Sequence, residues 1–264
     1  MNFGLIIVGD EILSGKRADM HMPKVIELLA ARGLVLSWAR YVGDEPARII
    51  ADLRDAFASG DVVFCCGGIG ATPDDHTRQS AAVALDRKLI LHSEAKVLIT
   101  ERARQMAAEQ GKTLDENHPD MHRRLEMGAF PEGAQIVPNP FNGIPGFSVA
   151  DVHFVPGFPV MAHPMIELLL DTRYAHLHSQ DAWQERSVIV YGSMEATLTP
   201  LMEQIEAQFP GVKVFSLPSM NHPVHGRHIE LGVKGTPAQL DAAYPMLLAG
   251  LVHYGVKCGP EMVR

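Results

Sequence analysis

The residues with the clearest potential for chemistry lie in one glycine-rich segment, Gly67–Thr77, which reads Gly-Gly-Ile-Gly-Ala-Thr-Pro-Asp-Asp-His-Thr. Glycines let backbone N–H groups approach an anionic ligand closely, and the hydroxyls of Thr72 and Thr77 can donate hydrogen bonds to phosphate. Asp74 and Asp75 would repel that phosphate unless a divalent cation lies between them. The segment therefore predicts a diphosphate bound together with a metal ion. Its expected phosphate ligands are Gly67, Gly68, Gly70, Thr72 and Thr77.

A purely structural interpretation of the same segment stays open at this point. The glycines would then form a strand-to-helix turn, and one aspartate would cap the following helix. One Asp suffices for a cap, however, so the second needs a separate role. The pair therefore favours a ligand or metal function for Asp74 or Asp75.

A second polar loop, Gly9–Lys16, has the same local arrangement of strand, loop and helix. Its lysine is the natural partner for a phosphate, although an isolated lysine is more often a solvated surface residue. The loop lacks the P-loop motif, because Lys16 is followed by Arg17 rather than by Ser or Thr. The candidate ligand-binding residues here are Gly9, Asp10, Glu11, Ser14 and Lys16.

Both loops are placed by the elements around them, which alternate between strand and helix. Unbroken apolar runs predict buried strands, and apolar residues repeating near 3.6 positions predict helices. The expected order is strand Phe3–Val8, a helix after Asp19, strand Leu34–Val42, helix Glu45–Ala58 and strand Val62–Cys66. Such repetition predicts an α/β three-layer sandwich with a mostly parallel sheet. Because ligands bind at the carboxyl ends of parallel strands, the two loops should face one crevice.

The rest of the chain predicts more of this domain and then a smaller one. Expected helices are 75–85, 93–109 and 165–171, and expected short strands are 135–137, 147–149 and 152–155. A change in composition at 174–183 marks a boundary between domains 1–173 and 184–264. The second domain reads as β-α-β-β-α, a small α+β unit. Its histidines His222, His225 and His228 favour a solvated hairpin over a metal site, because no nearby Cys or carboxylate completes a set.

The composition of the chain narrows the range of possible binding partners. The chain has 264 residues and a formal net charge of −8, and nucleic acid binding needs clustered Lys and Arg, so nucleic acid is excluded as the main partner. The three cysteines show no disulfide or metal-ligand spacing, and no apolar run approaches the ~20 residues that cross a bilayer. We expect a cytoplasmic homo-oligomer with a small-molecule partner, a nucleotide or a pterin, and no membrane partner.

Motifs in a fixed order resemble the molybdopterin-binding domain of molybdenum-cofactor biosynthesis proteins, in the branch typified by competence/damage-inducible protein A. Val8–Gly15 resembles the pattern Val-Gly-(Asp/Thr)-Glu-(Ile/Leu)-Leu-x-Gly, and Gly67–Thr77 resembles Gly-Gly-(Ile/Leu)-Gly-Pro-Thr-x-Asp-Asp-x-Thr. The similarity continues through Arg124–Met127, Pro131–Ala134, Pro138–Pro140, Pro145–Phe147 and Val155–Pro159. It covers residues 1–165 closely and the remainder loosely.

The resemblance implies a three-layer α/β fold that binds molybdopterin or an adenine nucleotide. In this branch it also implies a hydrolase: a nucleotide pyrophosphatase that depends on a divalent metal, magnesium or cobalt, and acts on diphosphates such as ADP-ribose. Asp74 and Asp75 would then be the catalytic, metal-holding residues. The chain departs from the pattern at Ala71, His76 and Val160-Met161. Two alternatives therefore stay open: a non-catalytic molybdopterin or nucleotide binding protein, and a vestigial crevice in a protein that acts through subunit contacts.

Overall fold

The structure is a computed structural model, and it describes residues 2–179 and 184–263. The chain forms two compact units, residues 1–178 and 179–264. The predicted domain limits, 1–173 and 184–264, stay predictions, and residues 180–183 of the predicted boundary lie outside the described residues.

The first unit alternates strands and helices from its start. Its strands are β1 (Phe3–Val8), β2 (Leu36–Val42), β3 (Val62–Cys66), β4 (Leu89–Leu91), β5 (Ala129–Pro131), β6 (Gln135–Val137), β7 (Gly146–Val149) and β8 (Val152–Val155). Its helices are α1 (Asp10–Leu13), α2 (His21–Ala30), α3 (Pro46–Ser59), α4 (Thr77–Ala84), α5 (Ser93–Glu109), α6 (Pro119–Glu126), α7 (Pro159–Thr172) and a 3₁₀ turn (Ala175–Leu177).

The central sheet of this unit has six strands in the order β2-β1-β3-β8-β7-β6. The first four are parallel, whereas β7 and β6 run antiparallel to their neighbours. Strand β1 is buried at all six positions because helices cover both faces of the sheet. Leu5 packs on one face with α2 and α7, and Ile6 packs on the other with α3, α4 and α5. The predicted three-layer α/β fold with a mostly parallel sheet is therefore confirmed.

Several local predictions need correction. Helix α4 begins at Thr77 rather than at Asp75, because Asp75 closes a turn with Thr72 instead. Helix α7 begins at Pro159, six residues earlier than 165, with proline in the first turn, where its missing N–H costs nothing. The sequence also gave no sign of α1, the β4–β5 pair or α6. Helix α6 starts behind His118, an uncommon cap whose ring accepts from the N–H of Asp120.

The second unit is an antiparallel sheet with two helices. Its elements are β9 (Gln184–Tyr191), α8 (Glu195–Gln208), β10 (Lys213–His222), β11 (Gly226–Gly235), α9 (Pro237–His253) and β12 (Lys257–Val263). The strand order is β10-β11-β9-β12, and both helices contribute to one apolar core. The predicted β-α-β-β-α order is observed, with β12 added. Gly259 and Pro260 within β12 hid it from sequence reasoning, because both residue types are unfavourable inside strands.

Candidate functional site

A cavity of about 410 Å³ opens at the carboxyl ends of β1, β3 and β8. The loop after β3, residues 67–75, forms one wall, and the loops after β1 and β8 close it on either side. A more open cavity adjoins it and shares three of its acidic residues, Glu11, Asp44 and Asp74. The two loops singled out in the sequence therefore meet at one edge of the sheet.

Gly67 lies where the backbone leaves the sheet. Its N–H donates to the carbonyl of Val155 at 3.0 Å, and its φ of 106° lies in the region that favours glycine. A Cβ at this position would overlap the carbonyl oxygen of Val8, which belongs to the neighbouring strand and cannot move away. Gly157, from the loop after β8, also approaches the Gly67 backbone closely. The loop can therefore pass between two strands only with glycine at position 67.

Asp75 holds the second half of this loop. Its Oδ2 accepts hydrogen bonds from the Thr72 backbone N–H at 2.8 Å and from Thr72 Oγ1 at 2.6 Å, and its own N–H donates to the Thr72 carbonyl. The carboxylate thus closes a turn and does not cap α4, whose N-cap residue is His76. Asp74, next to it, is exposed and lines both cavities.

Thr77 lies behind the loop rather than on the cavity wall. Its side chain is fully buried, its backbone N–H donates to the Gly68 carbonyl at 2.9 Å, and its Oγ1 has no hydrogen-bond partner among the described residues. The predicted role of Thr77 as a phosphate ligand does not match this position. Gly67, Gly68, Gly70, Thr72, Asp74 and Asp75 all line the cavity.

The first loop brings further carboxylates to the same opening. Asp10 and Glu11 lie at the start of α1, and Asp44 follows β2. Burial raises the pKa of Asp44, and the negative charges of Asp10, Glu11 and Asp74 raise it further, while a hydrogen bond from the Asp10 N–H opposes them. Four carboxylates therefore lie at the two adjoining cavities. We call Asp10, Glu11, Asp44 and Asp74 the acidic rim.

Two basic residues of the first loop take different positions. Arg17 lines the main cavity, whereas Lys16 lines the open outer one together with Asp10 and Ser14. Gly9 lines the main cavity, and Glu11 lines both. Every residue predicted from this loop is thus found at the same edge of the sheet, but the cation of this loop that lines the main cavity is Arg17.

Part of the cavity lining is apolar, and we call this part the apolar wall. Ile69, Ile144, Phe158 and Met161 are among its residues. The altered Val160-Met161 position of the sequence therefore places a thioether in the cavity, where the side-chain amide of Asn142 donates to Met161 Sδ at 3.6 Å. Such a wall can pack against a flat ring, while the charged residues of the lining are available to the polar part of a ligand.

Neither Asp44 nor Arg17 was assigned to a site from the sequence. The residues of the apolar wall were not assigned either. Asp44 could have been found, because it directly follows β2 at the carboxyl edge of the sheet. Asn139 lies in one of the motifs that carried the resemblance. Its buried side chain bonds to Asn142 and Ile144 and so shapes the loop that enters the cavity.

No group of three or more His, Cys, Asp or Glu residues in the described parts of the chain is arranged to hold a metal ion by itself. The histidines His222, His225 and His228 are likewise not arranged as a metal site, although their ring centroids lie 5.0–5.6 Å apart. They lie at the β10–β11 turn, and the Nδ1 of each makes a hydrogen bond to a neighbouring group. The hairpin interpretation of this cluster fits these contacts.

A three-layer unit with a ligand-sized cavity at the carboxyl ends of parallel strands belongs to the open-sheet α/β domains that bind small molecules. Residues 4–176 match the family described as "Probable molybdopterin binding domain". The match covers more than half of the chain, and the chain belongs to this family. Family membership supports a pterin-like or nucleotide-like ligand.

Curated relatives and a solved structure agree with this assignment. A CinA-like protein of Syntrophotalea carbinolica is 31% identical over 224 residues, which are 79% of this chain and 51% of that one. A protein of Pyrobaculum calidifontis is 29% identical over 94% of this chain and 93% of its own. The chain spans about half the length of several CinA-like relatives, 51–58% of their residues.

The structure of the protein CinA from Thermoplasma acidophilum, whose function is unknown, has the same fold. It matches with a TM-score of 0.54 and 24% identity, covering 65% of this chain and 98% of its own. None of the described helices has both the length and the apolar character to span a bilayer.

Proposed function

We propose that the unit of residues 1–178 binds a phosphate-bearing nucleotide or pterin and hydrolyses a nucleotide diphosphate such as ADP-ribose with the help of a divalent metal. One observation carries the proposal. The glycine loop lines the same cavity as three carboxylates of the acidic rim, Glu11, Asp44 and Asp74, so donors for a phosphate and ligands for its counterion share one cavity.

The glycine loop supplies the phosphate donors. The backbone N–H groups of Ile69 and Ala71 have no acceptor among the residues described, and both residues line the cavity. Backbone N–H groups fixed in this way bind phosphate oxygens without a side-chain entropy cost. The apolar wall with Phe158 and Met161 then receives the ring of the ligand.

The donor set fits a hard divalent cation that shares its coordination with the substrate. Mg²⁺ is usually held by one or two carboxylates together with substrate phosphates and water, not by an all-protein set of ligands. Asp74 is exposed at the rim, and Asp75 Oδ1 accepts no hydrogen bond from the described residues. Asp74 and Asp75 would therefore hold the ion, which supplies charge neutralisation on the diphosphate and a more acidic bound water.

The chain's own residues contribute the remaining steps. The Thr72–Asp75 turn keeps the glycine loop in place, and Arg17 adds a positive charge inside the cavity. Asp44, with its raised pKa, is a stronger base than an ordinary carboxylate and would accept the proton of the attacking water. Magnesium or cobalt would support the reaction, and molybdopterin would be a ligand of the same cavity.

Product analysis tests the proposal. The protein is incubated with ADP-ribose and either MgCl₂ or CoCl₂, and AMP is measured by chromatography, with EDTA as the metal-free control. Asp74→Asn and Asp75→Asn should each lower AMP formation at least about 100-fold, because one carboxylate ligand is lost. Asp86→Asn is the matched control, since it removes an exposed carboxylate of the same unit at a position, φ 53°, that Asn also tolerates. Unchanged AMP formation in both Asp74→Asn and Asp75→Asn would refute the assignment.

A second function, binding without turnover, is favoured by a different observation. The described residues contain no preformed metal site with three protein ligands, and Asp75 is already engaged with Thr72. A regulatory or carrier protein would then bind molybdopterin or AMP in calorimetry while forming no product. Absence of any thermal shift with these ligands would instead favour a vestigial crevice.

Light scattering during size-exclusion chromatography tests the expected homo-oligomer.

A further inference from the structure

Arg78, the second residue of α4, is buried directly behind the glycine loop. Only 3% of its surface is exposed. Its guanidinium donates to three backbone carbonyls: Gly70 at 2.6 Å, Ala129 at 3.5 Å, and Glu126. In the described parts of the chain it forms no ion pair with a carboxylate. Burial lowers the pKa of Arg78, while the negative charges of Asp75 and Glu126 oppose this effect without forming an ion pair with it. A buried guanidinium whose hydrogen bonds all go to backbone carbonyls is costly, so it calls for a role.

The contact with Gly70 fixes the direction of the next N–H group. In a planar trans peptide the carbonyl and the following N–H point to opposite sides. The Gly70 carbonyl points back to Arg78, so the Ala71 N–H points away from it, toward the cavity that Ala71 lines. The neighbouring peptide is fixed likewise: the Gly68 carbonyl accepts from the Thr77 N–H, which turns the Ile69 N–H outward.

The other two contacts connect this loop to a second wall of the cavity. Glu126 and Ala129 lie on either side of Met127 in the sequence, and Met127 lines the cavity. Arg78 therefore joins two segments that are distant in sequence and that both contact the cavity. Its Nε–H has no hydrogen-bond partner among the described residues, so one donor of the buried guanidinium is left unpaired.

We propose that Arg78 is the positioning residue of the anion site: it orients the N–H groups of the glycine loop and places a positive charge beneath the bound phosphate. This inference rests on the proposed function, because it assumes that the cavity receives a phosphate. It assigns to a buried arginine the role that the sequence suggested for Lys16. The occupant it requires is a phosphate group on the opposite side of the Gly70–Ala71 peptide.

Titration calorimetry with three probes, AMP, adenosine and pyrophosphate, tests this role. Arg78→Met keeps the length of the side chain and removes its charge. It should weaken AMP and pyrophosphate binding at least about tenfold, because one charge-assisted set of hydrogen bonds is lost. Adenosine, which has no phosphate, should bind within about twofold of wild type because the apolar wall is untouched.

Two further variants separate positioning from stability. Arg78→Lys keeps the charge but offers a single donor, so it should recover part of the AMP affinity. Arg87→Met is the matched control, because Arg87 is an exposed arginine that donates to the Glu132 carbonyl at 3.1 Å, away from the cavity. It should leave all three affinities unchanged.

The outcomes are distinct. Equal losses for AMP and adenosine in Arg78→Met and Arg78→Lys would show a general structural role and overturn the inference, and so would unchanged AMP binding. If the wild type binds pyrophosphate through Arg78 but binds no AMP, the inference stands and the proposed nucleotide function fails. If the wild type binds none of the probes, both fail.

Discussion

Asp10 and Asp44 hold each other in place through reciprocal hydrogen bonds. The N–H of Asp10 donates to Asp44 Oδ2 at 3.0 Å, and the N–H of Asp44 donates to Asp10 Oδ1 at 3.2 Å. Gly43 makes this possible, because a Cβ there would overlap Asp10 Oδ1. The exchange connects the loops after β1 and β2, and it also brings two negative charges together at the rim of the cavity.

Replacing Asp44 by Asn should stabilise the protein at neutral pH. The folded-state pKa of Asp44 is raised, so its ionised form destabilises the fold as pH rises above the ordinary carboxyl range near 4. Asn keeps an oxygen for the Asp10 N–H and removes the charge. We expect a melting temperature about 1–3 °C higher at pH 7, with the difference vanishing below about pH 4.

Scanning calorimetry at both pH values measures this, with Asp86→Asn as control. The same variant should lose catalytic turnover if Asp44 accepts a proton. A melting temperature that falls at pH 7 would show that Asp44 contributes more as a hydrogen-bond partner than it costs as a charge.

Acid should destabilise the first unit through a buried histidine. His153 is fully buried between Ser148 Oγ, 2.6 Å from Nδ1, and Tyr174 Oη, 2.6 Å from Nε2. Tyr174 donates its own proton to Asp151 at 2.7 Å, so His153 Nε2 must donate to Tyr174 and Nδ1 must accept from Ser148. This neutral tautomer satisfies all four groups, and protonation of Nδ1 would break the chain of hydrogen bonds.

Burial, aided by the charge of Arg173, lowers the pKa of His153 to about 3. The unfolded chain binds a proton near pH 6.5 that the folded chain excludes. The free energy of unfolding is therefore not reduced by His153 above pH 6.5. It falls as pH drops from 6.5 toward 3, by about 3–5 kcal/mol in total. Urea unfolding between pH 7 and pH 3.5 measures it. His153→Gln, which cannot be protonated, should show a shallower decline, and parallel curves for the two proteins would contradict the assignment.

Gly67→Ala should be far more harmful than an Ala at another left-handed glycine. Gly60, with φ 71°, has open space where its Cβ would lie, so Gly60→Ala isolates the cost of the backbone angle, about 1 kcal/mol. At Gly67 the overlap with the Val8 carbonyl adds to that cost. We expect Gly67→Ala to lose about 1–3 kcal/mol more than Gly60→Ala in urea unfolding and to abolish AMP binding. Equal losses would show that the loop adapts.

Arg17 and Lys16 should differ in their effect on ligand binding. Arg17 lines the main cavity and Lys16 only the outer one. Arg17→Met should weaken AMP binding about 5- to 10-fold, whereas Lys16→Met should change it less than about twofold, as expected for a solvated cation. Calorimetry at low and high salt measures both. A larger loss in Lys16→Met would place the phosphate at the outer opening.

Sequence patterns predicted the central sheet well because its signals are local. The bounds of β1, β3 and α5 agree with the predicted ranges, since an unbroken apolar run or a regular 3.6 period is a property of neighbouring residues. Strand β4 is different. Its three residues pair only with Ala129–Pro131, about forty positions later, so nothing nearby in the sequence indicates it.

The candidate site could likewise be predicted only in part from the sequence. The two loops could be placed together from the order of the strands, because β1 and β3 are adjacent and parallel. The direction in which each side chain points could not be predicted in this way. Thr77 was expected to face the ligand, but its N–H bonds to Gly68 and turns its hydroxyl inward. Arg78 stood beside it without a motif of its own, and its role follows only from the carbonyls that surround it.

If the proposed function holds, the acidic rim would make the cavity selective by charge as well as by shape. A bare di- or trianion would meet the negative charges of the four rim carboxylates around the glycine loop, whereas the same anion carrying Mg²⁺ would arrive with most of its charge cancelled. We therefore expect a phosphate-bearing ligand to bind as its Mg²⁺ complex, with an apparent affinity that follows the free magnesium concentration. Binding measured in a chelating buffer should then be weaker than binding measured with magnesium present.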